Sequence, residues 1–433
     1  MTVHKIHLPH SKNSAENETI TLPLPSRAVI STAQHLGAVC SPTVQVGDKV
    51  KIGDVIADSD AVMSAPVHAS ISGTVTEFAD VLHISGRNMP SIVIESDGLN
   101  EISDAVKPPV INNREDFLKA VRRSGSIGLG GAGFPTSMKL GFDPKEKQPD
   151  KLIINGAECE PYITSDYRCF IEEGEKVLDG ALQIMKYLEI PECIIGIEDN
   201  KPKAIAKMKE LCTSHPNVTV HPLKSSYPQG AEKTLIYSTT GRVVKEGTLP
   251  LNCGCVVINS STCAFLSDYI KTGMPLVSRR ITVDGNIVKK PSNFIAAVGM
   301  SIGEIVYYAE LSAEPDRIVL GGPMMGACAF ELDYPLSKTN NAVLLFNNSP
   351  VYQPSACIRC GRCVRACSMG LMPTALETAF DMRDPKQLDK LNVNLCVNCG
   401  ACSYVCPAKR NLAEKNQLAK AFLREHANKH KGV

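Results

Sequence analysis

Two short runs constrain this chain's fold more tightly than any other feature: CIRCGRCVRAC at 357–367 and CVNCGACSYVC at 396–406. Each places four cysteines as C-x2-C-x2-C-x3-C, the spacing with which bacterial ferredoxins hold [4Fe–4S] clusters. Three thiolates on a short loop wrap one corner of a cube, and the fourth ligand comes from the other run. Cys357, Cys360, Cys363 and Cys406 are therefore predicted to hold one cluster, and Cys396, Cys399, Cys402 and Cys367 a second. Iron in such clusters takes soft sulfur donors. Zinc sites use one or two cysteine pairs rather than two complete quartets, which makes zinc the weaker reading. Pro407 follows the last cysteine as the pattern has it, whereas Ser368 stands where proline is usual after the first run.

The surroundings of these runs read as helical. TALETAFDMRDPKQLDKL predicts a helix broken at Pro385. The stretch from Asn411 predicts a terminal helix with apolar positions at Leu412, Leu418, Ala419 and Phe422. Residues 409–433 hold seven Lys or Arg against two Asp or Glu. A solvated helix end is the default for such a stretch, and an acidic partner or a lipid surface the alternative.

At 433 residues the chain is expected to form three or four domains of ordinary size. A formal net charge of +1 argues against a general nucleic-acid binder. There is no apolar run long enough to span a bilayer and no apolar signal core in MTVHKIHLPH. Of seventeen cysteines, eight lie at metal-ligand spacing, and such usage suits a reducing cytoplasm rather than disulfides.

GLGGAG at 128–133 satisfies G-x-G-x-x-G, but a dinucleotide fingerprint must follow a strand. This one follows REDFLKAVRRSGSI, whose Phe117, Leu118 and Val121 are helically spaced. Glycines still let backbone N–H groups approach a ligand, and a nest of such groups suits phosphate. Lys139 is near enough in sequence to reach the same phosphate. KLIINGAECEPYITSDYR at 151–168 then reads as a short buried strand, Lys151 to Ile154, with Glu158 and Glu160 projecting from the loop beyond it. Ligands of α/β sheets bind at the carboxyl ends of strands. Two acids there suit ribose hydroxyls or a flavin edge, or else they are solvent-facing loop residues.

Four segments, GLGGAGFPTSMKL, NGAECEPYITSDYR, YPQGAEKTLIY and VVINSSTCAFL, together resemble the flavin- and NADH-binding subunit of respiratory complex I. With the cysteine runs and the N-terminal region, the chain most resembles the RnfC family. That family belongs to the Rnf complex, a membrane-bound, ion-translocating ferredoxin:NAD oxidoreductase. The likeness runs from about residue 29 to 415. It implies non-covalent FMN cradled by Gly128, Gly130, Gly131, Ala132, Gly133 and Lys139, with Asn155, Glu158 and Asn259 lining the flavin. Phe134, Glu160 and Glu232 are implied to lie near NAD(H). Leu129 stands where the complex I pattern has arginine, and Ala157 where it has aspartate. The chemistry also calls for a flavin, because a nicotinamide gives up a hydride while each cluster takes one electron. No nucleophile or general acid–base residue is required.

The resulting expectation is a multidomain α/β protein. Residues 1–28 form an N-terminal arm and 29–105 an all-β barrel-sandwich; 112–275 form an α/β FMN- and NAD(H)-binding domain. Residues 276–335 form a small SLBB β-grasp domain, and 345–433 a helix-rich ferredoxin-like domain with two [4Fe–4S] clusters. VGDKVKIGDVI followed by SAPVHASISGTV resembles biotinyl and lipoyl domains, yet no lysine lies between Lys51 and Lys107, which excludes a swinging arm. His4, His7 and His10 share i, i+3 spacing, but Pro9 argues for a flexible arm there. Cys253, Cys255 and Cys263 are expected to be buried thiols rather than a third metal site.

Three functional readings follow. In the leading one the chain passes electrons between NAD(H), FMN and two [4Fe–4S] clusters at the cytoplasmic face of a membrane. It is held there indirectly by other subunits of an Rnf-type complex, with ferredoxin as the ultimate partner. The second is an NADH-dependent flavin and iron–sulfur reductase, such as a cobalamin reductase or an amino-acid-reductase electron carrier. The third is an electron-transfer scaffold whose nucleotide site is inactive.

Overall fold

In the computed structural model, residues 5–82 and 86–431 are described. The N-terminal β region holds a four-stranded antiparallel sheet, built from Arg27–Ser31, Asn88–Ser96, Gly73–Leu82 and Lys49–Val50. A three-stranded sheet, Ser41–Pro42, Val55–Asp58 and Val67–His68, accompanies it, and Ile30, Ile56, Ile71 and Ile92 share the core. The paired Gly-Asp turns have a common local cause: Asp48 accepts from the Gln45 N–H and Asp54 from the Lys51 N–H, at 2.8 and 2.7 Å.

Helix α1 (Arg114–Arg123) opens the α/β region, capped by the Asn113 side chain, and α2 (Thr136–Leu140) follows the glycine loop. The loop thus follows a helix, as the Phe117/Val121 spacing predicts. Four parallel strands lie in the order Val218–Leu223, Glu192–Glu198, Lys151–Gly156, Cys255–Asn259. Helices α3 (Ser165–Leu188), α4 (Pro202–Leu211), α5 (Glu232–Thr240) and α6 (Ser260–Thr272) complete it. Helices α3 and α6 pack so closely that a Cβ on Gly180 would lie 2.0 Å from the Cys263 carbonyl oxygen. Strand order reverses direction between Lys151–Gly156 and Cys255–Asn259, so the switch-point crevice opens at Asn155 and Asn259.

The third region reads as expected through strand, turn and strand into α7 (Ile302–Ala309), whose capping box is Ser301 with Glu304. Its six-stranded sheet also takes in residues on both sides of 276–335. Ile20–Thr21 pairs in parallel with Phe294–Ile295, and Ala342–Phe346 pairs in parallel with Thr282–Asp284. Both runs bring buried apolar groups to one core, Leu22 from one side and Val343 and Leu345 from the other.

The N-terminal segment is no flexible arm. Ile6 and Tyr227 exchange backbone hydrogen bonds of 2.9 and 2.8 Å, Ser14 is fully buried, and the Asn13 side chain donates to Asp284. Pro9 forbids a helix there, as expected, but an extended chain fits a groove between the α/β and third regions. His10 contacts Asn200 and Ser225, and His7 is exposed; His4 lies outside the described residues.

The C-terminal region holds α8 (Arg362–Ala366), α9 (Pro373–Asp381), α10 (Pro385–Lys390), α11 (Ala401–Tyr404) and α12 (Leu412–Lys431). The break at Pro385 falls where the sequence puts it. On α12, Leu412 and Ala419 are buried, Phe422 is half-buried, and Leu418 is exposed instead of packed. Among the described residues no helix is long and apolar enough to cross a membrane.

Candidate functional site

The glycine loop folds back on itself at the crevice. Gly128 N–H donates to the Phe134 carbonyl, and Gly133 N–H to that of Gly128. Gly131 and Gly133 adopt φ of +100° and +64°, which turns successive amides outward. Gly130, Gly131 and Ala132 are exposed. Leu129 is buried with Ala65, Ile127 and Leu276. Its N–H donates to Thr262 Oγ1, and the buried Arg279 guanidinium donates to its carbonyl. The arginine of the complex I pattern is thus absent from the loop, but Arg279 reaches the loop from the third sheet. A cradle of outward amides at the carboxyl edge of a parallel sheet fits the phosphate end of a mononucleotide.

Asn259 caps α6: its Oδ1 accepts from Ser261 and Thr262 N–H, and its Nδ2 donates to Asp166 at 2.7 Å. Asp166 also accepts from Ser261 Oγ at 2.6 Å and so ties the starts of α3 and α6 together. Nothing local in NGAECEPYITSDYR marks it, because its partner is more than ninety residues away. Asn155 holds the Gly230 carbonyl and the Ala157 N–H. Lys139 and Glu232, expected on phosphate and nicotinamide respectively, pair with each other at 2.8 Å.

The two acids do not project together. Glu158 is 7% exposed, and its carboxylate accepts from the Asp166 N–H (2.8 Å) and the Tyr167 N–H (3.3 Å) at the start of α3. A helix N-terminus is a favourable place for an acid, and the chain folds Glu158 into it. Burial raises its pKa, and nearby Lys12 opposes the rise. Glu160 takes another direction. Its Oε2 accepts from Met324 N–H (3.0 Å), and Tyr227 Oη lies 3.4 Å from its Oε1. A Cβ on Gly322 would sit 2.3 Å from the Glu160 carboxyl carbon, so the Gly-Gly-Pro turn of the third region admits this acid only because it lacks a side chain there. Burial pushes Glu160 up to about 7 and the Cys159 thiol between the acids up to about 12.

Lys12 fixes the whole acid loop. Its ammonium donates to the carbonyls of Glu158 (3.0 Å), Glu160 (2.8 Å) and Ile163. Beside it the buried Lys201 and Glu198 pair at 2.7 Å. Sequence reading missed Lys12 because nothing local marks a lysine that serves a loop about 150 residues on.

The cysteines come together unequally. Cys367, Cys396, Cys399 and Cys402 line one cavity walled by Leu371, Pro373 and Ala401. Burial, then the neighbouring thiolates, push Cys399 up to about 11 and Cys402 up to about 12. Such a donor set resists ionisation until iron supplies compensating positive charge. Tyr227 Oη donates to the Cys399 carbonyl at 2.6 Å, so this quartet abuts the carboxyl edge of the parallel sheet. In the other quartet Cys363 and Cys406 are buried together with Ala408 and Leu412, whereas Cys357 and Cys360 stand exposed. Among the described residues no three Cys, His, Asp or Glu side chains close to single-ion spacing. Cys255 packs on one face of the parallel sheet and Cys263 on the other.

Three family models match: the RnfC Barrel sandwich hybrid domain over residues 2–99, the Nuo51 FMN-binding domain over 121–268, and the 4Fe-4S dicluster domain over 356–410. The C subunit of the proton-translocating ferredoxin:NAD(+) oxidoreductase complex of Clostridium ljungdahlii is 41% identical over 398 residues, covering 90% of this chain and 86% of that protein. The C subunit of the Na(+)-translocating ferredoxin:NAD(+) oxidoreductase complex of Acetobacterium woodii is 38% identical, covering 85% and 84%. Among solved structures, NAD+-reducing [NiFe]-hydrogenase in the air-oxidized state shares the fold, with a TM-score of 0.52 at 18% identity over 72% of this chain and 63% of that one.

Proposed function

The chain belongs to the RnfC family of ion-translocating ferredoxin:NAD(+) oxidoreductase complexes, and from that premise we propose that it exchanges electrons with NAD(H) on behalf of such a complex. The observation that carries this reading is a convergence. The outward amides of Gly130–Ala132 and the cavity of Cys367, Cys396, Cys399 and Cys402 both adjoin the carboxyl edge of one parallel sheet. Bound in the glycine cradle, FMN supplies the exchange between hydride and single electrons that no side chain here performs.

The chain's own residues bind, orient and exclude water. Gly128, Gly130, Gly131, Ala132 and Gly133 hold the phosphate end; Asn155 and Asn259 shape the crevice beside it. Lys139 reaches phosphate by leaving Glu232, which frees that acid for the nucleotide. Phe134, half-buried at the loop's end, and Glu160 face the nicotinamide side. Glu158 acts one step back, by fixing the start of α3. The two cysteine quartets each hold a [4Fe–4S] cluster, the Cys399 quartet nearer the flavin and the Cys357 quartet facing out.

Residues 29–105 serve as an unmodified barrel-sandwich and 276–335 as an SLBB module. The chain sits peripherally on the cytoplasmic side, held by the complex's other subunits, and the ion-translocating path runs through those subunits. The test is cofactor analysis of the purified chain with NADH titration. The expected result is FMN bleached by NADH, with iron and sulfide for two cubes; a chain that holds iron but never retains FMN sinks the reading.

A further inference from the structure

The exposed cysteine quartet is ringed by cations that the chain does not neutralise. Arg410 and Lys415, elsewhere in the same region, pair with Glu377 and Asp381. Among the described residues Arg362, Arg365 and Lys409 have no such carboxylate partner. Two of the three are nonetheless held in place: Arg365 donates to the Cys360 carbonyl at 3.2 Å, and the Lys409 ammonium lies 4.2 Å from the centre of the Tyr352 ring. Together these three cations rim a cavity of about 570 Å³ with an apolar floor of Ile6, Val405 and Pro407, and the cluster ligand Cys406 lines it. Ile358, between the two exposed cysteines, is itself 66% exposed.

An apolar floor, arginine on the rim and an aromatic beside it is the composition of a protein interface rather than of solvated surface. The chain as a whole is close to neutral, at +1, so the local excess is not a general polycation's character. We propose that this groove is the docking surface for an acidic redox protein, another subunit of the same assembly. Its acidic segment lies between Arg362, Arg365 and Lys409, and its redox centre exchanges single electrons with the cluster of the exposed quartet. What one centre loses the other gains, and no bond changes. The proposal rests on the cluster assignment above.

The test uses the full chain with its clusters reconstituted. Binding is measured to membrane vesicles from cells that lack this chain but keep the other subunits, and to protein-free phosphatidylglycerol vesicles. The variants are Arg362→Glu with Lys409→Glu, and the milder Arg362→Gln with Lys409→Gln. The expected result is about tenfold weaker binding of the charge-reversed chain to the stripped membranes at low salt, with the Gln variant between. The gap closes at high salt as the Debye length shrinks. Iron and sulfide content, and NADH reduction of an artificial acceptor by the isolated chain, stay unchanged. Equal binding of all three forms at low salt overturns the proposal, and so does wild-type binding to the protein-free vesicles as tight as to the stripped membranes. Wild-type chain that reconstitutes no clusters overturns instead the assignment on which it rests.

Discussion

The two cysteine quartets share one spacing and live in different surroundings. Cys367, Cys396, Cys399 and Cys402, all half-buried, line a small, partly enclosed cavity, with Tyr227 bonded to the carbonyl of Cys399 and the Met324 carbonyl oxygen 2.6 Å from where a Cβ on Gly400 would lie. Cys357 and Cys360 sit on an exposed stretch without helix or strand, flanked by Arg362 and Arg365. On the proposed assignment, spacing sets what a quartet would bind and packing sets with whom it would exchange electrons. Low dielectric and buried walls suit an internal relay, and exposure suits hand-over to another protein.

Breaking the Cys399 quartet should have the largest effect. Cys399→Ala is expected to remove about half of the iron and to stop NADH from reducing what remains, read by electron paramagnetic resonance. Cys357→Ala should lose similar iron yet leave the Cys399 quartet's signal reducible. If both variants behave alike, the inner–outer distinction fails. A milder probe is a chelator with a mild oxidant: the quartet with exposed Cys357 and Cys360 should lose iron first, so the signal surviving partial loss belongs to the Cys399 quartet. Smaller again is Tyr227→Phe, which deletes the hydrogen bond to the Cys399 carbonyl and should cost about 1 kcal/mol. It should slow cluster reduction without slowing flavin bleaching, as stopped-flow spectra would resolve.

The smallest effect is a pH dependence. Glu160 is held neutral up to about 7 by burial, above its ordinary 4.5. Between those values the unfolded chain has released a proton that the folded chain keeps, so Glu160's contribution to stability is full at low pH and lost as pH rises toward 7. Glu160→Gln should flatten that part of the Tm-against-pH curve, measured by calorimetry from pH 4 to 8. An unchanged slope would mean that Glu160 is already ionised beside Tyr227.

What the sequence disclosed follows from range. Cluster spacing, the glycine loop after a helix, the Gly-Asp turns and the helix break at Pro385 are local devices, legible within a dozen residues. Glu158 misled because two loop acids two residues apart look equivalent until α3 claims one of them. Lys12, Tyr227 and Arg279 stayed silent for the same reason. Each satisfies a group more than a hundred residues away, Glu158 and Glu160, Cys399, and Leu129 respectively. The N-terminal segment read as loose because its partners were out of view.

That segment also sets an order of events in synthesis. Ile20–Thr21 pairs with Phe294–Ile295, so at roughly 5–20 residues per second the ribosome needs about 14 to 55 seconds before the partner emerges. Until then Leu22, buried in the folded chain, trails without its core, and this edge of the third sheet has no partner to close on. A fusion or tag that tethers the first twenty residues elsewhere would leave that edge open to a neighbouring chain.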